Sequence, residues 1–418
     1  MLRVSRHLAM KQRMDNGGRM SALLSQRTPF APGPILRSLR EFGDQVLEPE
    51  MFCRLRDARV IFADYELIVH DFEPRFGRPG DAIDGEVQRA IDDFLVEHCG
   101  VISAVQAAQT VTNSHIEIKQ RRRLGYRPPY YGRAAVMPAG DPARFMDVKG
   151  IGVQPGEIPK NEAHGTGLLL ATEAVHEFLF ERLCGAAFHH AGGEYEVVPS
   201  YAILDLGFMT VPWRNRRRER AVAIVRRAHT RPRNQWDDDE PPGPVAVGVM
   251  RDVALLLRRY GITSTAGDYR IEERDGALVL HARDEEFVFR DGEALRVAAM
   301  TGYAGGVLPI DAVNVQYTTG VADTPPHPQI YDFGSFRASA DFQAPIYVAS
   351  SAREVDLVGE MILPGDSRFP RADRCRLPER ANLVGSRLAW EYVHGRRSGA
   401  SIARAIDRFV QRCFRHAQ

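Results

Sequence analysis

Four short segments in the middle of the chain carry residue types that bind phosphates and divalent cations. In chain order they hold a lysine, two glutamates, an Asp/Asn pair and an Asp-Phe-Gly tripeptide: Lys149, Glu173 and Glu177, Asp311 and Asn314, and Asp332. Cleaving a phosphoanhydride requires cations placed on the oxygens that gain charge. The order and spacing of these residues predict one nucleotide site of the kind found in protein-kinase-like nucleotidyl- or phosphotransferases.

Each residue has a predicted role in that chemistry. Lys149 is expected to contact phosphate oxygens, and Asp332 to bind a Mg²⁺ or Mn²⁺ ion with Asn314, because hard cations take oxygen ligands. A carboxylate must orient the lysine ammonium. Glu173 and Glu177 lie one helical turn apart, so only one of them should face the lysine, and the sequence leaves open which.

The lysine itself is unusual for this chain. Basic residues are almost all arginine, and the only lysines are Lys11, Lys119, Lys149 and Lys160. A compact ammonium can sit between two phosphates where a planar guanidinium does not substitute. A lysine inside a predicted strand therefore favours a phosphate-binding role.

Local patterns place these residues on defined elements. Apolar alternation predicts a strand over Phe145–Lys149 that ends at Gly150, and helical spacing predicts a helix over Leu168–Leu183. Further strands are predicted at Tyr195–Val198 and Tyr201–Leu206. Strand, loop, helix, strand and strand is the element order of a kinase small lobe.

These elements predict an α+β fold of the protein-kinase-like, two-lobed type. Residues 1–110 are expected to form a partly helical N-terminal extension, 111–212 a small β-rich N-lobe with one key helix, and 213–418 a larger, mainly helical C-lobe. Two Asp-Gly turns indicate a β-meander near 268–292, inserted in the C-lobe.

Several motifs resemble a known family over about residues 120–340. They are Val148-Lys149-Gly-Ile-Gly152, Glu173-Ala-Val-His176, the arginines Arg226 and Arg233 seven positions apart, Gly306-Val-Leu-Pro-Ile-Asp311, and Tyr331-Asp332-Phe-Gly-Ser-Phe336. Together they resemble the selenoprotein O family of kinase-fold enzymes, which transfer AMP rather than phosphate to protein hydroxyls. One departure concerns the metal loop, because Ala312 follows Asp311 where the family has Asn.

The resemblance implies ATP with Mg²⁺ (or Mn²⁺) as cofactors and a protein or peptide acceptor. It also implies that the nucleotide is reversed relative to a kinase, with Arg226 and Arg233 holding the inward γ-phosphate. Asp311 is then expected to act as the general base or to hydrogen-bond to a residue that binds the metal. Together with Lys149 and Asp332 it makes up the expected catalytic residues. The expected cofactor-binding residues are Lys149, Gly150, Glu173, Arg226, Arg233 and Gly132, the last in a Pro-rich turn where glycine allows close backbone approach.

Composition limits the other classes of function. The net charge is +1, which makes nucleic acid an unlikely partner. No apolar run reaches the roughly 18–20 residues of a membrane helix, and five widely spaced cysteines are typical of reduced thiols in a cytoplasmic protein. Two alternatives stay open: a phosphotransferase acting on a peptide or small metabolite with Asp311 as base, and a nucleotide-binding pseudokinase scaffold.

Overall fold

A computed structural model describes much of the chain between residues 35 and 414. The described residues are 35–42, 47–110, 113–127, 132–140, 144–154, 166–193, 195–211, 218–229, 253, 256–257, 259–264, 269–274, 277–282, 285–289, 308–309, 315–317, 328–338, 346–347, 377 and 380–414. By its internal contacts the chain divides into Met1–Pro32 and Gly33–Gln418, and every described residue lies in the second unit.

A nine-stranded antiparallel sheet is the largest element of the structure. Its strands are β1 (Glu48–Arg54), β2 (Arg59–Ala63), β3 (Val101–Ile102), β4 (Arg123–Arg127), β5 (Ala134–Ala139), β6 (Arg144–Lys149), β7 (Leu169–Leu170), β9 (Ser200–Thr210) and β10 (Glu219–Arg227). Their order is β2-β9-β10-β6-β5-β4-β1-β3, with β7 paired to β10. Together with the helices, this sheet confirms the predicted α+β class.

The sheet joins segments that lie far apart in the sequence. β1, β2 and β3 come from residues 1–110 and pair at its two ends, while β10 lies past residue 212 and pairs between β6 and β9. The paired strands lie far apart in the chain, and no local sequence pattern specifies which of them pair. The predicted extension and the predicted N-lobe thus contribute to one sheet.

Six α-helices lie in the described part of the chain. They are α1 (Tyr65–Asp71), α2 (Gly85–Cys99), α3 (Ala104–Ala107), α4 (Ala171–His190), α5 (Ala381–Val393) and α6 (Gly399–Phe414). None of these helices combines the length and the apolar character that crossing a membrane requires.

Four smaller sheets complete the strand pairing. β8 (Glu196–Val197) pairs in parallel with β17 (Pro328–Ile330), which pairs with β16 (Val315–Tyr317), and β11 (Ile262–Ser264) pairs with β18 (Phe336–Ala338). β12 (Tyr269–Arg274), β13 (Ala277–Ala282) and β14 (Glu285–Phe289) form an antiparallel meander inside the region where the sequence predicts one. β15 (Leu308–Pro309) pairs in parallel with β19 (Ile346–Tyr347).

Helix α4 lies at the centre of the largest hydrophobic core. Its buried residues include Phe178, Leu179, Phe180 and Leu183, each at most 2% exposed, and burying one such side chain stabilises the fold by roughly 1.5–3 kcal/mol. α5 crosses α4 closely at Gly385, where a Cβ would lie 2.7 Å from the backbone of α4. This packing fixes the rotation and height of α4, and with them the positions of its glutamates.

A buried ion pair connects α1 to the sheet. Asp71 accepts hydrogen bonds from Nε and Nη2 of Arg227, each at 2.8 Å, and from the hydroxyl of Tyr201 at 2.7 Å. The Asp71 and Arg227 side chains are 0% and 3% exposed. Because a buried charge is costly unless it is paired, the two side chains are strongly interdependent.

Replacing Asp71 by alanine tests this interdependence. Asp71→Ala removes the carboxylate that faces the buried Arg227, so the free energy of unfolding should fall by about 3–5 kcal/mol in urea denaturation. The control is Glu117→Ala, which removes an exposed pair with Arg56 and should cost less than about 1 kcal/mol. Equal losses in the two variants would contradict the assignment.

Candidate functional site

Lys149 is placed at the end of β6, deep in the sheet. All six residues of β6 are buried, and β5 and β10 pair with it on either side. The next residue, Gly150, has φ of +98°, and a Cβ there would lie 2.5 Å from the Leu169 side chain and 2.7 Å from the Val222 carbonyl oxygen. Only glycine fits this turn, so Gly150 ends the strand and leaves the lysine at its rim.

The Lys149 ammonium is shared by two carboxylates from different parts of the chain. Its Nζ donates to Oε2 and Oε1 of Glu177 at 2.8 and 3.0 Å, and to Oδ1 of Asp332 at 2.5 Å. The Lys149 and Glu177 side chains are 6% and 3% exposed, whereas that of Asp332 is 47% exposed. The structure therefore brings together three of the predicted site residues, with one carboxylate open to solvent.

The structure also distinguishes the two candidate glutamates. Glu177 faces the lysine, while Glu173 accepts a hydrogen bond from the Leu170 backbone N–H at 3.0 Å, at the start of α4. The Glu173 side chain is 39% exposed and lies 3.7 Å from Arg133. Glu173 thus caps the helix, and Glu177 is the partner of Lys149.

Asp332 has an unusual backbone conformation. Its φ and ψ are 64° and 68°, in the left-handed region, and no other described residue apart from glycine has a positive φ. Phe333 and Phe336, on its C-terminal side, are 1% and 0% exposed and anchor the segment in the core. Such conformations cost about 1–3 kcal/mol and cluster at functional sites, which singles out Asp332.

Neighbouring cations keep Asp332 ionised. Burial raises the pKa of its carboxyl, but Lys149 and then Arg226 outweigh that effect and hold the pKa well below its usual range. Burial is the largest single influence on this pKa because protein atoms surround the carboxylate, although part of the Asp332 side chain contacts solvent. Asp332 therefore presents a negative charge to solvent.

Arg226 enters the same cluster from β10. It lies opposite Asp147 in the sheet, donates from Nε to Asp147 Oδ1 at 2.6 Å and from Nη1 to Glu177 Oε1 at 3.4 Å. The side chains of Arg226 and Asp147 are 3% and 0% exposed. The remaining nitrogen, Nη2, is buried and makes no hydrogen bond to the described part of the chain, so one donor of the guanidinium is unused there.

Two cations and three carboxylates meet in this cluster. Lys149 and Arg226 lie against the carboxylates of Asp147, Glu177 and Asp332. A divalent cation bound at the open carboxylate of Asp332 would add positive charge beside the Lys149 ammonium, and a polyphosphate binds to such a pair of cations.

A complete metal centre made only of protein ligands is not present among the described residues, since no three His, Cys, Asp or Glu side chains group suitably. Mg²⁺ in nucleotide sites is held by one or two carboxylates together with substrate phosphates and water. The single open carboxylate of Asp332 fits that mode of binding.

The other predicted site residues are distributed as follows. Gly132 has φ of +57° in the turn between β4 and β5, and its carbonyl accepts a hydrogen bond from the buried Arg127 at 3.1 Å. No atom of the described residues lies within 4 Å of the position its Cβ would take. Asp311, Asn314 and Arg233 lie outside the described residues.

Sequence reasoning missed Asp147 and Glu181. The sequence does contain a signal for Asp147, because it is the one charged residue within Phe-Met-Asp-Val. It comes two positions before Lys149 and therefore lies on the same face of the strand. Glu181 lies one turn beyond Glu177 and accepts hydrogen bonds from the backbone N–H of Ser200 at 2.9 Å and from its hydroxyl.

No protein-family model matches the chain, and no curated protein or solved structure matches it significantly. The chemistry of the site is therefore the basis for a functional proposal.

Glu181 provides a pH test of the buried charges beside the site. Burial raises its pKa from 4.5 to about 7, although Arg182 and Ser200 oppose the shift. A raised folded-state pKa contributes stability below the unfolded value of 4.5, and that contribution is lost as the pH rises through about 7.

The comparison is between wild type and Glu181→Gln, whose side chain does not titrate. Between pH 5 and pH 8 the wild type should lose about 2–3 kcal/mol of unfolding free energy relative to the variant, measured by urea denaturation. A difference that does not change with pH would show that Glu181 ionises normally.

Proposed function

We propose that this protein is an ATP-dependent transferase of the protein-kinase-like fold that transfers AMP from Mg-ATP to a hydroxyl of a protein or peptide. The observation that carries the proposal is the Lys149 ammonium, held at 2.8 Å from Glu177 and 2.5 Å from an open Asp332 carboxylate. Kinase-like nucleotide sites require a strand lysine, a helix glutamate and an Asp-Phe-Gly aspartate in this relation.

The order of the elements supports the same class. β4, β5 and β6 form a meander that ends at the lysine, α4 follows with Glu177, and β8 and β9 come next in the chain, although β8 pairs with β17 outside the large sheet. That is the strand, loop, helix, strand and strand order expected of a kinase small lobe. The short β16–β17 hairpin directly precedes Asp332, so the segment with Asp311 and Asn314 lies between β15 and that hairpin in the chain.

Arg226 favours AMP transfer over phosphoryl transfer. Its guanidinium is buried beside Glu177, with Nη2 available as a donor. A buried guanidinium at this position suits a triphosphate whose γ-phosphate points inward, as the resemblance to the selenoprotein O family implies, with Arg233 as the second arginine. The α-phosphate then faces outward, toward an acceptor.

The proposed reaction balances as a substitution at phosphorus. The acceptor hydroxyl oxygen bonds to the α-phosphorus, the bond from that phosphorus to the oxygen bridging to the β-phosphate breaks, and pyrophosphate leaves with the electron pair. Asp311 is the candidate base for the hydroxyl proton. Lys149 would hold phosphate oxygens, and Asp332 with Asn314 would hold the Mg²⁺, which neutralises phosphate charge when bound.

We also propose a cytoplasmic location, because ATP is abundant in the cytoplasm and free thiols are typical of a reducing compartment. Cys53, Cys99 and Cys184 are buried and form no disulfide.

Labelled nucleotide tests the reaction directly. Purified protein is incubated with Mg²⁺, a panel of acceptor proteins, and ATP labelled at either the α- or the γ-phosphate. Covalent label from the α position is the expected result, because AMP stays on the acceptor and pyrophosphate leaves. Label from the γ position would identify a phosphotransferase, and ATP binding without transfer of either label would identify a pseudokinase; both would contradict AMP transfer.

Two glutamates one turn apart offer a matched pair of variants. Glu177→Gln removes the carboxylate bonded to Lys149 and Arg226, and the rate of AMP transfer should fall about 10²-fold, the size typical of losing one preorganised charged group. Glu173→Gln changes the same side chain on the same helix and should leave the rate within a few fold. A larger effect at Glu173 than at Glu177 would contradict the site.

A further inference from the structure

A second site lies away from the Lys149 cluster, where β2 and β10 meet the turn between α5 and α6. A cavity of about 360 Å³ opens there. Among the described residues, the charged side chains that line it are those of Arg59, Arg220 and Arg397, and none is a carboxylate. A cavity of this volume is large enough for a small organic ligand.

Carboxylates that are not part of the described lining hold the cavity arginines in place. Oδ2 of Asp205, which is 0% exposed, accepts from Nη2 of Arg59 at 3.0 Å and from the hydroxyl of Tyr392 at 3.1 Å, and lies 3.4 Å from Nε of Arg220. One buried carboxylate therefore positions two guanidinium groups, and a single negative charge faces two positive ones.

The third arginine repeats this arrangement. Oε2 of Glu391 accepts from Nε of Arg397 at 2.5 Å, and Oε1 of the same carboxylate accepts from Nε of Arg387 at 3.1 Å. Among the described residues, three arginines line the cavity and two carboxylates pair with them, one of which is shared with Arg387 outside the lining, so positive charge is in excess. Pre-positioned guanidinium groups with spare N–H donors are the side chains best suited to a phosphate group.

This site is separate from the proposed nucleotide cleft. Arg220 and Arg226 lie on the same strand, six residues apart, which corresponds to about 20 Å at ~3.3 Å per residue. An ion bound at one site would not contact the other.

We propose that this arginine cavity is a binding site for a phosphate group, carried by a small metabolite or present as the free ion. The inference stands on the cavity, its lining and its charge, and it does not depend on the proposed transfer reaction.

Titration calorimetry tests the site, with inorganic phosphate and glycerol 3-phosphate as separate probes in the absence of Mg²⁺ and nucleotide. At least one probe should bind to the wild type, and which of the two binds more tightly distinguishes the free ion from a phosphorylated metabolite. The double variant Arg59→Gln/Arg220→Gln should weaken binding at least tenfold. Arg397→Gln should also weaken it, and this variant leaves the buried Asp205 with both of its arginines.

Two controls locate the binding. Arg387→Gln removes a nearby charge that does not line the cavity and should change the affinity by less than threefold. Asp332→Asn changes the proposed nucleotide site while Lys149 stays bonded to Glu177, and it should leave phosphate binding intact. Absence of binding by the wild type, equal binding by the cavity variants, or loss of binding in a folded Asp332→Asn would each overturn the proposal.

Discussion

The structure depends on the neutralisation of one buried ammonium. Lys149 is bonded to Glu177 and Asp332, which lie 28 and 183 positions further along the chain. A buried cation is stable only when its carboxylates are in place, so β6, α4 and the segment after β17 must be positioned together. The same requirement that assembles the fold here also concentrates charge at the end of β6, beside the exposed part of Asp332.

Strand β10 extends this constraint to both faces of the sheet. Arg226 and Arg227 are consecutive, and successive side chains of a strand point to opposite faces. Arg226 pairs with Asp147 and contacts Glu177, on the side of the proposed site, while Arg227 pairs with Asp71 of α1. Two arginine–aspartate pairs therefore connect the centre of the sheet to the proposed site through Arg226 and to α1 through Arg227.

Local sequence patterns predicted the parts that depend on neighbouring residues. The lysine strand, the helix with its glutamates and the Asp-Phe-Gly segment follow from short patterns, and the structure places Lys149, Glu177 and Asp332 in contact. Periodicity could not choose between Glu173 and Glu177, because spacing defines a helical face but not its rotation against the sheet. Packing at positions such as Gly385 sets that rotation.

Long-range pairing explains the rest. The addition of β1 and β2 to the sheet, and the place of β10 beside β6, join segments that no local pattern relates. Asp147 was overlooked for a similar reason, since its partner Arg226 lies 79 positions away. A lone acid in an apolar strand can be noticed in the sequence, but its partner is known only when the opposite strand is placed.

The most direct measurement is an experimental structure of the protein with Mg²⁺ and a non-hydrolysable ATP analogue. A phosphate oxygen is expected within hydrogen-bond distance of Lys149 Nζ, with the metal ion bound to the carboxylate of Asp332. A nucleotide bound elsewhere, with the contacts of Lys149 unchanged, would contradict the proposed site.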